Sequence, residues 1–358
     1  MQGPSRRTLA NSGPPQIVGG RRQNTTPSDV SSPTSACPSF GSVRVPQHTS
    51  TRVLVTTSYP AHADDFAGHF VRSEALELSR TGDVVVVAPR AKARHLGDDV
   101  RVVEVGGLGA FGPPGLGANL LRNPWQLASA ARFFFALPKA LLDARPDALE
   151  VHWPFPTALF VPRSLHAIPT TYVSHGACVR ALVRAPRRVR AFCIDRLLRP
   201  PVRWRFVSVA LRDFLLEHLD RELAARVLRQ SFIQEPRIEL PPRETIGRPW
   251  PRPALVLVGR LVPSKCMHLA LCYAAQHEPL RELDIVMIGD GPMRQGLETQ
   301  ASALGLRLHA TGTLSRGQTL GILAGAKGLL FASKAEGCSS VLREAAHYGV
   351  PVHLVEPS

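Results

Sequence analysis

From Arg52 onward, short runs of aliphatic and β-branched residues alternate with stretches whose apolar positions recur at helical spacing. The run over 53–57 reads as a strand, 66–80 as a helix, 84–87 as a buried strand and 100–105 as another. Beyond a Gly/Pro-rich loop at 106–117, the pattern predicts a helix over 124–144 and strands at 148–152 and 170–174. A basic amphipathic helix and a strand near Phe206-Val207-Ser208 follow. Strands that are apolar throughout have no face to give to water, so their alternation with helices implies a parallel sheet covered on both sides. Residues 235–253 are rich in Pro and charge, with Pro241-Pro242 and Pro249-Trp250-Pro251, and read as a linker. The pattern then restarts, with strands at 254–258, 283–288, 306–310, 328–332 and 350–355, and helices beginning near Lys265, Pro292, Arg316 and Ser339. The expected fold class is therefore α/β, with one doubly wound domain over 51–234 and a second over 254–358.

Composition changes this picture at the N-terminus. Residues 1–50 are rich in Pro, Ser, Thr, Gly and Gln and poor in large apolar side chains, so they are expected to be a disordered segment. A start codon placed too far upstream is an alternative origin for them. The whole chain is 44% hydrophobic and 20% charged, ordinary for a globular protein. Its cysteines, Cys37, Cys178, Cys193, Cys266, Cys272 and Cys338, have no paired C-x-x-C spacing. Neither a zinc site nor a disulfide framework is indicated, and reduced thiols in a cytoplasmic protein fit best. No apolar run reaches the roughly 18 residues of a membrane span, and no apolar stretch follows Arg6-Arg7 as an export signal requires.

The formal charge of +15 invites a nucleic-acid reading. Its distribution points elsewhere. Arginines crowd between Arg180 and Arg205 with Asp195 the only acid among them, beside Phe192, Ile194, Leu197 and Leu198. A basic face next to an apolar stripe suits an anionic membrane surface or a polyanionic acceptor, and plain arginine bias is the alternative. No nucleic-acid-binding motif accompanies the charge, so no nucleic-acid partner is expected. The glycines of 106–117 are a weak dinucleotide fingerprint, because the segment carries Pro113-Pro114 and opens no credible helix; no Walker A lysine occurs.

The candidate chemistry lies in the second half. Seven residues separate Glu336 from Glu344, from a turn at Gly337 into a helix capped at Ser339 or Ser340. Glu344 then lies about one turn inside the helix and Glu336 at its mouth, with free backbone N–H groups between them as an anion site. Two carboxylates flanking such a site suit a ligand with hydroxyls at both ends and a diphosphate in the middle, the layout of a nucleotide sugar. Two solvated surface glutamates are the alternative. Arg260 and Lys265 follow the first strand of the second domain, where open α/β sheets bind ligands, and could stabilise a departing diphosphate without a metal ion.

Val256-Leu257-Val258-Gly259-Arg260 through Lys265, Ile288-Gly289-Asp290-Gly291-Pro292, the glutamate pair and Gly349-Val350-Pro351 occur in that order. Together they resemble the nucleotide-binding half of retaining glycosyltransferases of family 4. The likeness is close over 253–351 and loose over 51–358. It implies a GT-B fold of two facing Rossmann-like domains and transfer of a sugar from a nucleotide-diphosphate donor to a polysaccharide or lipid-linked acceptor. Such a cytoplasmic enzyme would rest against the inner face of the membrane and need no cofactor or metal.

By the same resemblance, Arg260 and Lys265 hold the diphosphate and Glu344 the donor ribose. Glu336 lies by the donor sugar as a catalytic residue. His175, in Ser174-His175-Gly176, is similar to the histidine that faces that sugar; His152 competes for the role. Gly68 resembles the glycine that admits phosphate or acceptor, with a simple helix-start glycine as the alternative. Cys266 stands where the family usually has glycine, which would restrict backbone approach there. The family continues past this point with a glycine-rich loop and a crossing helix, so the second domain is expected to be incomplete. A catalytically impaired relative that only binds nucleotide sugar is the alternative reading.

Overall fold

The computed structural model describes residues 50–97, 100–112, 116–199, 201–334 and 337–356. The N-terminal segment expected to be disordered lies outside these, Ser50 excepted, and so does Glu336.

Two parallel sheets form. The first contains β1 (Thr51–Val55), β2 (Asp83–Pro89), β3 (Arg101–Val105), β4 (Ala148–His152), β5 (Thr170–Ser174), β6 (Val202–Phe206) and β7 (Ser231–Ile233), in the order β3-β2-β1-β4-β5-β6-β7. Alternation along β1 explains why both faces need cover. Val53 and Val55 pack on one side with Phe133 and Leu137 of the helix Gln126–Ala144, while Leu54 packs on the other with Val71 and Ala75 of the helix His69–Ser79. The second sheet contains β8 (Ala254–Val258), β9 (Asp284–Ile288), β10 (Leu308–Gly312), β11 (Gly328–Phe331) and β12 (Val352–Leu354), in the order β10-β9-β8-β11-β12. Leu255 and Leu257 face Ala270 and Leu271, and Val256 faces the other way toward Ile322. Strand order reverses between β1 and β4 in one sheet and between β8 and β11 in the other. At such switch points the loops leaving the carboxyl ends diverge and open a crevice. The architecture is that of two Rossmann-like domains, as expected.

Several local expectations are corrected. The basic segment is two helices, Ala177–Arg184 and Arg187–Leu197, because Pro186 cannot continue the first and caps the second. Ile194, Leu197 and Leu198 of its apolar stripe enter the core, but Phe192 is 67% exposed. Beyond β6, the helices Val209–Leu216 and Arg221–Gln230 start at Ser208 and Asp220, whose side chains accept from Leu211 and Leu223 N–H. The glycine-rich loop does lead into a helix, Leu116–Arg122; Asn119 Nδ2 ties it down by donating to the carbonyls of Ala110 and Gly112.

The segment 235–253, which joins the two sheets, is strapped to the second one. Tyr348 Oη donates to the Pro241 carbonyl at 2.8 Å, Arg243 donates to the Tyr348 carbonyl at 3.1 Å, and Gly247 N–H donates to Gly317 O at 3.0 Å. Its backbone groups find partners on the second sheet's helices instead of water, which is why so polar a stretch is ordered. Among the described residues no helix is long and apolar enough to cross a membrane.

Candidate active site

A cleft of about 700 Å³ lies at the carboxyl ends of the strands, with walls from both domains. Its floor is made by two glycine loops. Gly259 N–H donates to Ile288 O at 3.0 Å, Leu261 N–H to Asp290 O at 2.9 Å, and Gly289 N–H to Gly312 O at 2.8 Å. A Cβ at Gly289, where φ is +131°, would overlap the Gly259 carbonyl, so only glycine lets the two loops meet.

Arg260 and Lys265 rise from this floor into the cleft. The next helix, Met267–Gln276, begins after Cys266, which has φ 47° and ψ 31° and is 1% exposed. The backbone there keeps the left-handed turn that glycine favours, and the cysteine side chain packs into the core with Leu257, Leu261 and Met267. Opposite stands the helix Ser340–His347, with Ser339 at its N-cap and making no side-chain cap bond. Cys338, Ser339 and Ser340 line the cleft at this N-terminus, where backbone N–H groups are unclaimed by the helix. Glu344, 4% exposed, reaches the cleft from its second turn.

The structure thus brings Arg260, Lys265 and Glu344 together around a helix N-terminus. Gly68 and His175 do not line the cleft. Gly68 caps the helix His69–Ser79 at φ 71°, where a Cβ would overlap the Ser58 carbonyl; its glycine requirement is met inside its own loop. His175 stands behind the cleft at the end of β5, anchored by Trp204 Nε1–H donating to the neighbouring Ser174 Oγ at 2.9 Å. The second domain approaches it closely: a Cβ on Gly337 would lie 2.8 Å from the His175 carbonyl oxygen.

His152 and His175 belong to one buried polar chain. His152 Nδ1 and His175 Nε2 are 2.9 Å apart, and His152 Nε2 lies 3.4 Å from Glu150 Oε1. Arg205 bonds Glu150 at 3.3 Å and Glu74 more closely still. Burial, then the charges of His152 and Arg205, hold the His175 imidazole well below its usual range, so it is neutral. Burial raises the Glu74 carboxyl, helped by the charge of Glu150. Burial pushes on Glu150 too, but the hydrogen bond and charge of His152, with Arg205 and Arg52, outweigh it and hold Glu150 low and ionised. Glu74, Glu150 and His152 place their polar atoms within 4.8 Å of one another, a spacing a metal ion could use. The cation between the two carboxylates is already the Arg205 guanidinium, and the cluster is an ion-pair network.

Three cleft residues escaped the sequence reading. Arg316 Nη1 donates to Glu344 Oε1 at 2.9 Å, and its backbone N–H donates to Asp64 O of the first domain at 3.0 Å. His69 Nδ1 donates to Phe66 O at 2.9 Å, and burial with the Arg316 charge lowers its pKa to about 4. Arg122 enters from the helix that follows the glycine-rich loop. Arg316 was signalled by the Ser315-x-x-Gln318 capping box, which sets it at a helix start. His69 and Arg122 carry no such signal, because tertiary folding alone brings them to the cleft.

Two facing Rossmann-like domains with a cleft at their switch points define the GT-B architecture. Residues 243–355 match the family described as glycosyl transferases group 1. No curated protein sequence matches the chain. Among solved structures, sucrose-phosphate synthase from Thermosynechococcus elongatus is similar at 14% identity and TM-score 0.58, over 85% of this chain and 81% of that one. The E. coli trehalose-6-phosphate protein bound with UDP-2-fluoro glucose is similar at 13% identity and TM-score 0.59, over 86% and 84%. Anabaena HepE in complex with UDP and glucose is similar at 13% identity and TM-score 0.56, over 86% and 80%. At these identities the likeness is one of fold.

Proposed function

We propose that the protein is a retaining glycosyltransferase of family 4 that moves a sugar from a nucleotide-diphosphate donor to a glycan or lipid-linked acceptor. The observation that carries this reading is the convergence of Arg260, Lys265, a helix N-terminus and Glu344 on one cleft, within the segment that matches the family. Two cations and a ring of N–H donors suit a diphosphate, and they favour its departure because they are most strongly engaged when the leaving group gains charge. This supports a donor site that works without a metal ion. Glu344 accepts from the ribose. Glu336, by the resemblance, lies near the anomeric carbon, where its charge would stabilise the developing cation. His175, facing the junction with Gly337, would meet the sugar's hydroxyls once a ligand draws the domains together. That the E. coli and Anabaena structures hold UDP-2-fluoro glucose, and UDP with glucose, favours a nucleotide hexose as donor.

A lipid-linked acceptor agrees with the exposed surface around the helix Leu116–Arg122, next to the cleft. There Leu121 is 89% and Trp125 84% exposed, beside Arg122. Exposed apolar side chains next to a cation fit the anionic surface of a membrane.

Thermal shift with a panel of nucleoside diphosphates and nucleotide sugars in EDTA, followed by an assay for nucleoside diphosphate release, tests the reading. Stabilisation is expected for one base, by about 2.7 kcal/mol at a hundredfold excess over Kd. A folded sample that answers to no donor would overturn the site; binding without turnover would leave a nucleotide-sugar-binding protein.

A further inference from the structure

We infer that His69 is a specificity-determining residue of the cleft: its Nε2 accepts a hydrogen bond from one hydroxyl of the ligand's ribose, beside the hydroxyl that Glu344 takes. The inference deepens the proposed function and rests on its assignment of ribose to Glu344.

The turn that carries His69 is built from its own residues. The Asp65 carboxylate braces it with both oxygens, accepting from Ala61 N–H at 3.0 Å and Ala67 N–H at 2.9 Å. Gly68 then turns left-handed at φ 71°, and the helix His69–Ser79 begins. His69 folds back over the turn, with Nδ1 2.9 Å from the Phe66 carbonyl oxygen. A carbonyl can only accept, so Nδ1 carries the proton. Burial and the Arg316 charge keep the ring neutral at pH 7, which leaves Nε2 with a lone pair and no hydrogen.

No group of the protein meets that lone pair. Among the described residues, His69 is the only one lining the cleft with a buried side-chain polar atom that lacks a hydrogen-bond partner. Buried polar atoms are nearly always paired, so an exception in a cleft wall calls for a donor from a ligand that the walls enclose. Arg316 is the cation close enough to depress the ring's pKa, but its Nη1 donates to Glu344 Oε1 and its Nη2 to the Glu239 carbonyl at 3.2 Å. A phosphate or carboxylate oxygen would set lone pair against lone pair. The ligand group that fits is an O–H or an N–H.

Arg316 also indicates which. Its backbone N–H donates to Asp64 O, in the turn before His69, while its side chain holds Glu344. One residue thus ties together two acceptors, the neutral imidazole of the first domain and the carboxylate of the second. Two acceptors gathered at one arginine suit a vicinal diol, because each hydroxyl can donate to one of them. The N–H of uracil or guanine has a carbonyl oxygen beside it, which the second acceptor would repel.

Isothermal titration with UDP, GDP and ADP, each compared with its 2′-deoxy and 3′-deoxy forms, tests the inference. The wild-type protein should bind each deoxy form of its preferred nucleotide about fivefold or more weakly. His69→Asn keeps an N–H for the Phe66 carbonyl but has no atom at the place of Nε2, so one of the two deficits should vanish and the other remain. His69→Gln, whose side-chain oxygen reaches the place of Nε2, should restore the lost deficit in part. In 15N NMR of the histidine rings at about pH 7, assigned with His69→Asn, the bare Nε2 resonance of His69 should move toward the protonated range on saturation with the ribonucleotide and not with one deoxy form. Both deficits surviving in His69→Asn would overturn the inference while the donor site stood. Should that variant fail to fold, an Nε2 resonance indifferent to the bound ribonucleotide overturns it in the wild-type protein. If no nucleoside diphosphate binds the folded protein, the donor-site reading fails and takes this inference with it.

Discussion

Glu344 and Arg316 face each other from consecutive helices at 2.9 Å, 5% and 15% exposed. The carboxylate therefore enters the cleft with its charge balanced and Oε1 already engaged. In the proposed donor site, such a balanced carboxylate would take a ribose hydroxyl without repelling the diphosphate next to it.

Glu344→Gln is expected to weaken binding of a nucleoside diphosphate and of its sugar conjugate by equal factors, at least about tenfold, since a hydrogen bond to a charged group contributes ~1.5–3 kcal/mol. Glu336→Gln should spare the bare nucleoside diphosphate and reduce transfer. Isothermal titration of both variants decides; matched losses of nucleotide affinity would refute this division of roles.

Arg316→Ala strips a mostly buried carboxylate of its counter-ion. Chemical denaturation should show a loss of about 3 kcal/mol, larger than for any exposed arginine such as Arg80, whose partner Glu77 lies beside it in water.

Stability should fall as the solution is acidified below the ordinary histidine range, and His69 is one cause. Its folded pKa is about 4 against 6.5 unfolded, so between these values the unfolded chain binds a proton that the folded one refuses. The contribution is whole above pH 6.5, drains away as pH falls toward 4, and amounts to on the order of 3 kcal/mol. His69→Gln should flatten this part of the profile of Tm against pH; an unchanged slope would show that His69 is not its source.

How much of this could be read beforehand follows physical lines. The strands 148–152, 170–174 and 254–258 were legible to the residue, because each lies between closely placed Pro or Gly residues, and 254–258 is in addition the unbroken apolar run of a fully buried parallel strand. Glu344 was legible because its neighbours in sequence, Ser339 and Ser340, are also its neighbours in the site. The link from His152 to Arg205 and Glu74 was not: it joins β4, β6 and the helix His69–Ser79, and no local pattern records which polar residues of distant elements face one another. The packing of the linker 235–253 was not legible for a related cause, since Pro-rich polar sequence looks the same whether its carbonyls meet water or Tyr348 and Arg243.

Vesicles with anionic headgroups should retain the protein at low salt, and Leu121→Ser with Trp125→Ser should lower the bound fraction about tenfold or more, given ~1.5–3 kcal/mol per large apolar side chain buried. Neutral vesicles are the comparison. Equal sedimentation with both lipids, or no effect of the double variant, would take the acceptor surface away from this face.

Gly337→Ala should act as a wedge, because its Cβ would lie 2.8 Å from the His175 carbonyl. Transfer is expected to fall by about a hundredfold as the domains are held apart, with nucleoside diphosphate affinity nearly unchanged. Small-angle scattering with and without donor would show whether closure is what was lost.

The contact between Gly289 and Gly259 bears on where diversity could arise in such a protein. Because the two loops touch main chain to main chain, neither can be re-spaced or decorated without dislodging the other, and they form a single stiff jaw. On the opposing jaw, Phe66 and His69 share one turn through the bond from His69 Nδ1 to the Phe66 carbonyl, whereas Arg122 stands on a separate helix and can be exchanged without disturbing them. A library built for altered ligand choice would gain most from Arg122 and would mostly yield unfolded protein if aimed at the glycines.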